Sequence, residues 1–308
     1  MTRIALKLLN GIYGWIVGAA IVASAVYAGY SIWDNFQIYE AAEDVQNQIR
    51  ELKPDEEAKG GPSFDELRTL NSDVVGWITL DGTNVDYPIV QGDTNLTYMD
   101  RDVYGEFSLA GSIFLDTRNS ADFSDKYSLV YGHNMDKHLM FGDLAEYKDK
   151  EFFQKNTTAT LMIPGESRKM DVLAVLQIPA GSEEIFNPDM WGTSLDGLAE
   201  WLEKNAIWYH SDQMILLKTE TSSVQIVALV TCSDGSTNDR TVLILIRRLD
   251  SDQTDKVPSS DDVVQGRPKK TGDSQDPKFW IWIIAITIAI IFMIEGAERY
   301  AKKHIEKD

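Results

Sequence analysis

The chain has 308 residues and a formal net charge of −19, enough for one sizeable domain with additional segments. The charge excludes a nucleic-acid partner, since a phosphate backbone selects a basic face, and suits an exported surface that attracts amine-bearing partners. A single cysteine, Cys232, excludes an intramolecular disulfide and any zinc site built on several thiolates.

In chain order, the first element is the uncharged run 8–33, longer than the roughly 20 residues a helix needs to cross a bilayer. Arg3 and Lys7 precede it and hold the N-terminus in the cytoplasm, and Tyr27, Tyr30 and Trp33 lie towards its outer end. A cleaved signal peptide ending near Ala23-Ser24-Ala25 is the alternative, but the apolar run is long for one. Residues 1–33 are therefore read as cytoplasmic end plus anchor. Residues 34–62 are polar and helix-favouring as far as Lys59-Gly60-Gly61-Pro62, and read as a stalk helix and linker lifting the domain off the membrane.

Residues 63–250 form the globular domain and read mainly as strands. Runs at 74–80 and 85–90 flank the hairpin-type turn Asp81-Gly82-Thr83-Asn84. Further β-rich runs occupy 112–116, 127–131, 159–163 and 170–178, and the most apolar are 224–230 and 241–246. Helices are predicted at 140–156 and 194–205; in the second, Leu195, Leu198, Trp201 and Leu202 recur at helical spacing and face the core. Many short strands with helices on the connections predict a mainly β fold, a closed or nearly closed barrel.

Residues 251–278 are rich in Asp, Ser, Lys, Pro and Gly and read as a flexible tether. The apolar run beginning at 279 reaches 297 if Glu295 snorkels, and reads as a second, C-terminal transmembrane helix followed by a cytoplasmic tail, 298–308. Basic residues flank this run on both sides, so its orientation rests on the first span; a tail lying on the outer membrane surface is the alternative.

The chemistry concentrates at strand ends. Cys232 closes the run Val224-Gln225-Ile226-Val227-Ala228-Leu229-Val230-Thr231, and Arg240 opens the next strand. The two should share one rim of the sheet. A strand end holds a nucleophile rigidly while its loop admits substrate, and an arginine there offers donors to a developing oxyanion. His133 follows the run Tyr127-Ser128-Leu129-Val130-Tyr131 and is the corresponding proton-exchanging residue. His138 and His210 read as solvated, and His304 as part of the tail. No His/Asp/Glu cluster has metal-ligand spacing, so neither a metal nor another cofactor is expected.

Tyr131-Gly132-His133-Asn134-Met135, with Met140-Phe141-Gly142-Asp143-Leu144 after it, resembles the histidine motif of class B sortases. Leu229-Val230-Thr231-Cys232 resembles the family's TLxTC strand, with Ala228 in place of its first threonine, and Arg240 fits the arginine that follows. Asn71-Ser72-Asp73-Val74-Val75-Gly76-Trp77-Ile78, Asp86-Tyr87-Pro88-Ile89-Val90-Gln91-Gly92 and Gly111-Ser112-Ile113-Phe114-Leu115-Asp116 also resemble that class. The resemblance implies an eight-stranded sortase barrel, flanked here by the two transmembrane helices. It implies a two-step transpeptidation in which Cys232 attacks the carbonyl after the threonine of a C-terminal sorting signal. His133 then protonates the leaving amine and Arg240 holds the substrate or oxyanion. It further implies that Asn95, Tyr131 and Thr231 line the substrate groove, and that the helix at 194–205 is the long helix of class B members. The implied partners are surface-protein or pilin sorting signals, an amine of a cell-wall peptide or a pilin lysine, and the membrane.

Three functions follow: anchoring of proteins to the cell wall; pilin polymerisation, to which a second span is better suited; and a catalytically inactive membrane scaffold, against which the intact Cys, His and Arg set argues. The second span is commoner in pilus-building class C sortases, but the chain has no aspartate-proline-aromatic lid motif. A papain-like hydrolase would place its cysteine early, at the start of a helix.

Overall fold

The structure is a computed structural model that describes residues 2–54, 63–232, 238–249 and 263–266. Its contacts separate two units, one holding the N-terminal helix up to Gln37 and one running from Ile38. The expected second span at 279–297, the tail at 298–308 and most of the tether lie outside the described residues.

Helix α1 runs unbroken over Thr2–Arg50. In the first unit Trp15, Ile16, Ile21, Val26, Tyr27 and Trp33 are all exposed, and the helix is long and apolar enough to cross a membrane, with a mean hydropathy of 1.6 over its most apolar stretch. The second unit contains the end of α1, where Ala42 and Ile49 are buried at helical spacing. Gln46 and Arg50 donate to the Asn84 carbonyl at 3.1 and 2.8 Å, and Lys53 Nζ lies 2.7 Å from Asp86. The helical part of the segment read as a stalk thus packs against the β1–β2 region through an apolar stripe from Ile38 onward.

A short helix α2 (Phe64–Leu70), closed by a Ser63–Glu66 capping box, leads into the strands. These are β1 (Val74–Leu80), β2 (Asp86–Val90), β3 (Ile113–Leu115), β4 (Tyr127–Gly132), β5 (Thr158–Ile163), β6 (Glu166–Pro179), β7 (Ala206–His210), β8 (Val224–Cys232), β9 (Asp239–Arg248) and β10 (Val263–Gln265). Eight of them close a barrel in the order β6-β5-β1-β2-β3-β4-β8-β9, with β9 returning to β6. Neighbours are antiparallel except β2–β3 and β4–β8, which are parallel. The eight-stranded barrel implied by the resemblance is thus present. At the β1–β2 hairpin Leu80 N–H bonds the Val85 carbonyl at 2.9 Å, and Gly82 supplies the φ of +75° the turn requires.

Strand alternation sorts the core. Ile78, Leu80, Val130, Val172, Val227, Leu229, Leu243 and Leu245 belong to one cluster, inside the barrel. Their alternates Leu129, Leu173, Ile226, Ala228, Val242 and Ile244 form a second with the helices Leu198–Asn205 and Ser211–Thr219. The helix expected from 194 begins only at Leu198, since Gly197 takes φ +87° and turns the chain; Leu195, Leu198 and Leu202 are buried as expected. The long class B helix implied by the resemblance is here eight residues. The helix expected at 140–156 is a 3-10 segment, Gly142–Lys148, and helix α3, Lys150–Lys155. They part at Asp149, which is extended and caps α3 through its side chain.

Strands β7 and β10 were not expected. β7 pairs with β6, and β10, inside the stretch read as a flexible tether, pairs with β7 in the register Val263↔His210, Val264↔Tyr209, Gln265↔Trp208. This pairing also corrects the reading of His210: it is fully buried and stacked on Phe153 at 4.7 Å between ring centroids. His138 keeps its exposure, with its Nδ1 against the Asp143 carboxyl.

Asp171 on β6 is held up at about pH 6, first by burial and then by the nearby Asp212 carboxylate, against a hydrogen bond from Gln213. A carboxyl whose folded pKa exceeds its unfolded value costs stability as pH rises between the two, and the cost is fully present above pH 6. Asp171→Asn is therefore expected to stabilise the barrel at pH 7 by about 1 kcal/mol, after discounting for its partial exposure. In urea unfolding the gain should disappear near pH 4; an equal gain at both pH values would show that charge is not its cause.

Candidate active site

Three adjacent strand ends build the site. β4 and β8 run parallel with Tyr131 opposite Val230 and Gly132 opposite Thr231, so the next step of that register brings His133 level with Cys232. β8 and β9 run antiparallel with Thr231 opposite Thr241 and Cys232 directly opposite Arg240. Neighbouring strands lie about 4.8 Å apart, so His133, Cys232 and Arg240 stand in a row at one rim of the barrel, with the cysteine backbone central.

Beside this row is a groove of about 270 Å³. Asn95, Tyr131, His133, Thr231 and Arg240 all line it, with an apolar wall of Leu96, Met99, Phe114, Phe186 and Val230. Five of the six site residues named from the sequence thus converge on one cavity, and the sixth, Cys232, follows Thr231 in the chain. Tyr131 is stacked on Phe114 at 5.3 Å.

His133 is oriented by a contact that the sequence did not reveal. Its Nε2 lies 2.8 Å from the Met99 carbonyl. A carbonyl only accepts, so Nε2 carries a proton in this arrangement. The close approach depends on Gly111, whose φ is +60°; a Cβ there would lie 2.7 Å from the Met99 oxygen and 3.0 Å from His133 Cδ2. The loop after His133 is held against its own backbone preference. Lys137, His138 and Met140 all have positive φ, costly for residues with a Cβ. Their conformation is imposed by the Phe141 N–H bond to the His133 carbonyl at 2.9 Å, by the Met140 N–H bond to Tyr87 Oη at 2.7 Å, and by the His138–Asp143 pair.

Asp116 and Arg118 were also missed as working residues. The Asp116 side chain is fully buried, and Arg118 grips it through Nη2 at 2.7 Å and Nε at 2.9 Å. Burial pushes the Asp116 pKa up, but the Arg118 bonds outweigh it and hold the carboxyl below its usual range, ionised. Burial first, and then the Asp116 charge, push the Tyr131 phenol well above the ordinary tyrosine value, so it stays protonated. In the sequence Asp116 closes the family-like run from Gly111, but nothing there assigns it a role in the site. Among the described residues no cluster of metal-ligating side chains occurs.

No protein-family model matches the chain. Sortase B of Listeria monocytogenes is 39% identical over 112 residues, 36% of this chain and 46% of that protein. Sortase B of Staphylococcus aureus is 32% identical over 145 residues, 46% of this chain and 59% of that protein. The chain thus spans about half the length of the curated relatives it matches. Among solved structures, Spy0129, a Streptococcus pyogenes class B sortase involved in pilus biogenesis, is 38% identical with a TM-score of 0.54, covering 60% of this chain and 97% of that one. Almost the whole of that sortase is matched here in both sequence and fold, and on that ground the chain belongs to the class B sortases.

Proposed function

We propose that this protein is a membrane-held cysteine transpeptidase that cleaves a C-terminal sorting signal after threonine and transfers the new acyl end to an amine. The observation that carries the reading is the adjacent alignment of His133, Cys232 and Arg240 on β4, β8 and β9, beside a groove of about 270 Å³. The Cys232 thiolate attacks the threonine carbonyl carbon, and charge gathers on the carbonyl oxygen, where the Arg240 guanidinium donates. As the C–N bond breaks, His133 gives a proton to the leaving amine and a thioester remains. An incoming amine attacks the thioester, loses its proton to His133, and the thiolate departs. Asn95, Tyr131 and Thr231 hold the peptide. The catalytic unit comprises residues 63–250. Arg3 and Lys7 keep the N-terminus inside, α1 crosses the membrane and the barrel faces outward. The run at 279–297 returns the C-terminus to the cytoplasm.

The test is intact-mass spectrometry of the protein mixed with peptides that carry an internal threonine. A peptide-sized adduct on Cys232, removed by hydroxylamine with release of the truncated peptide, is the expected result. Failure of every such peptide to give an adduct or cleavage would overturn the reading.

The resolving amine separates two tasks with the same chemistry. A cell-wall peptide amine makes the enzyme an anchoring transpeptidase, and a pilin lysine makes it a polymerase. The likeness to Spy0129, described as involved in pilus biogenesis, favours weighing the lysine equally with the wall amine. The inactive-scaffold alternative is disfavoured by the complete Cys, His and Arg row.

A further inference from the structure

Asp116 receives more hydrogen bonds than any surface loop requires, and they come from both sides of the groove. Its Oδ2 accepts from Tyr131 Oη at 3.1 Å, from Asn95 Nδ2 at 3.0 Å and from Arg118 Nη2 at 2.7 Å. Its Oδ1 accepts from the Arg118 backbone N–H at 3.0 Å and from Arg118 Nε at 2.9 Å. Arg118 extends the connection to the other wall, donating to the Phe186 carbonyl at 2.9 Å and to Asn187 Oδ1 at 3.2 Å. Asn95 is held at its second end as well, since its Oδ1 accepts from the Thr117 N–H at 2.8 Å.

A carboxylate has no proton to give, and this one is ionised. Tyr131 must therefore spend its only hydrogen on Asp116 and can present nothing but lone pairs to the groove. Asn95 cannot flip, because the opposite orientation would set its carbonyl oxygen against the carboxylate and its amide against a backbone N–H. Its second Nδ2 hydrogen remains for a ligand. We infer that Asp116 is a positioning residue that fixes the hydrogen-bonding polarity of the groove, making Tyr131 an obligatory acceptor and Asn95 a donor. The ligand chemistry that fits is an amide, with an N–H facing Tyr131 and a carbonyl facing Asn95. The inference rests on the groove being the peptide site and deepens that reading.

Asp116→Asn keeps the shape and reverses the polarity. Its Oδ1 keeps the Arg118 backbone N–H and Nε, its amide faces Tyr131, Asn95 and Arg118 Nη2, and these three donors must turn. The experiment has two parts, both on the full chain in detergent. The Asn95 side-chain amide pair is followed in ¹H–¹⁵N spectra, assigned by its loss in Asn95→Ala. In the parent, one Nδ2 hydrogen should exchange slowly and shift downfield; in Asp116→Asn that protection should be lost while the rest of the spectrum is retained. With the peptide that gives the Cys232 adduct, KM should rise about tenfold, the scale of one hydrogen bond, with kcat and the rate of Cys232 alkylation by iodoacetamide within about twofold. A role in stability alone predicts an unchanged Asn95 signal, or equal losses in alkylation and turnover, and either result overturns the inference. If Asp116→Asn does not fold, Tyr131→Phe leaves the Asp116–Arg118 pair in place and should raise KM by itself; an unchanged KM there overturns it equally. A parent protein that cleaves no peptide would remove the proposed activity, while the Asn95 spectrum would still decide the role of Asp116.

Discussion

Cys232→Ala is expected to lower both cleavage and transfer by at least about a thousandfold, to the level of the uncatalysed background. The chain has no second cysteine to take over the covalent step. A serine or threonine hydroxyl has a much higher pKa than a thiol and is a far weaker nucleophile at neutral pH. The variant should fold as the parent does, because the backbone of residue 232 is held by pairing between β8 and β9. The measurement is paired: intact mass for the acyl adduct, and chromatography for the truncated peptide and the transferred product. An adduct or product from the alanine variant would falsify the nucleophile assignment, whatever its rate.

The second large effect concerns the residues on either side of the cysteine. His133→Ala and Arg240→Ala should each reduce turnover by about a hundredfold or more, the usual scale for losing acid–base or oxyanion help. They should differ in kind. In the proposed mechanism His133 moves protons in both acyl transfers, so its loss should slow acylation and resolution alike. In the proposed mechanism Arg240 meets the substrate carbonyl, and a lysine in its place keeps the charge but not the planar fork. Arg240→Lys should therefore recover only a small part of the lost rate. A lysine variant as active as the parent would mean that only the sign of the charge matters there. Both positions are solvent-accessible strand ends, so neither substitution opens a cavity in the core, and thermal unfolding should remain close to that of the parent.

Several features of this protein were legible in the sequence alone. Apolar, β-rich runs bounded by turn residues located β1 at its observed ends and most other barrel strands within a few residues, because composition and turn signals are local. The placement of Cys232, His133 and Arg240 at strand ends was equally local, since each lies where an apolar run meets polar residues. The motif order identified the fold and the family. Tertiary structure alone decided which strands touch. β4 and β8 are separated by the whole of β5, β6 and β7, and only their parallel register sets His133 level with Cys232. Pairing of this kind depends on barrel closure, which no local pattern encodes. The same holds for β7 and β10: three residues in a polar stretch become a strand only because β7 offers a free edge. His210 looked solvated in a polar neighbourhood and is buried because that edge is covered. Asp116 is the clearest case. Asp116 ends a family-like run, but the polar residues Asp, Thr and Arg give no local sign of burial. The fold alone buries the carboxylate between Asn95 from the β2–β3 connection and Tyr131 from β4, and turns it into the residue that orients the groove.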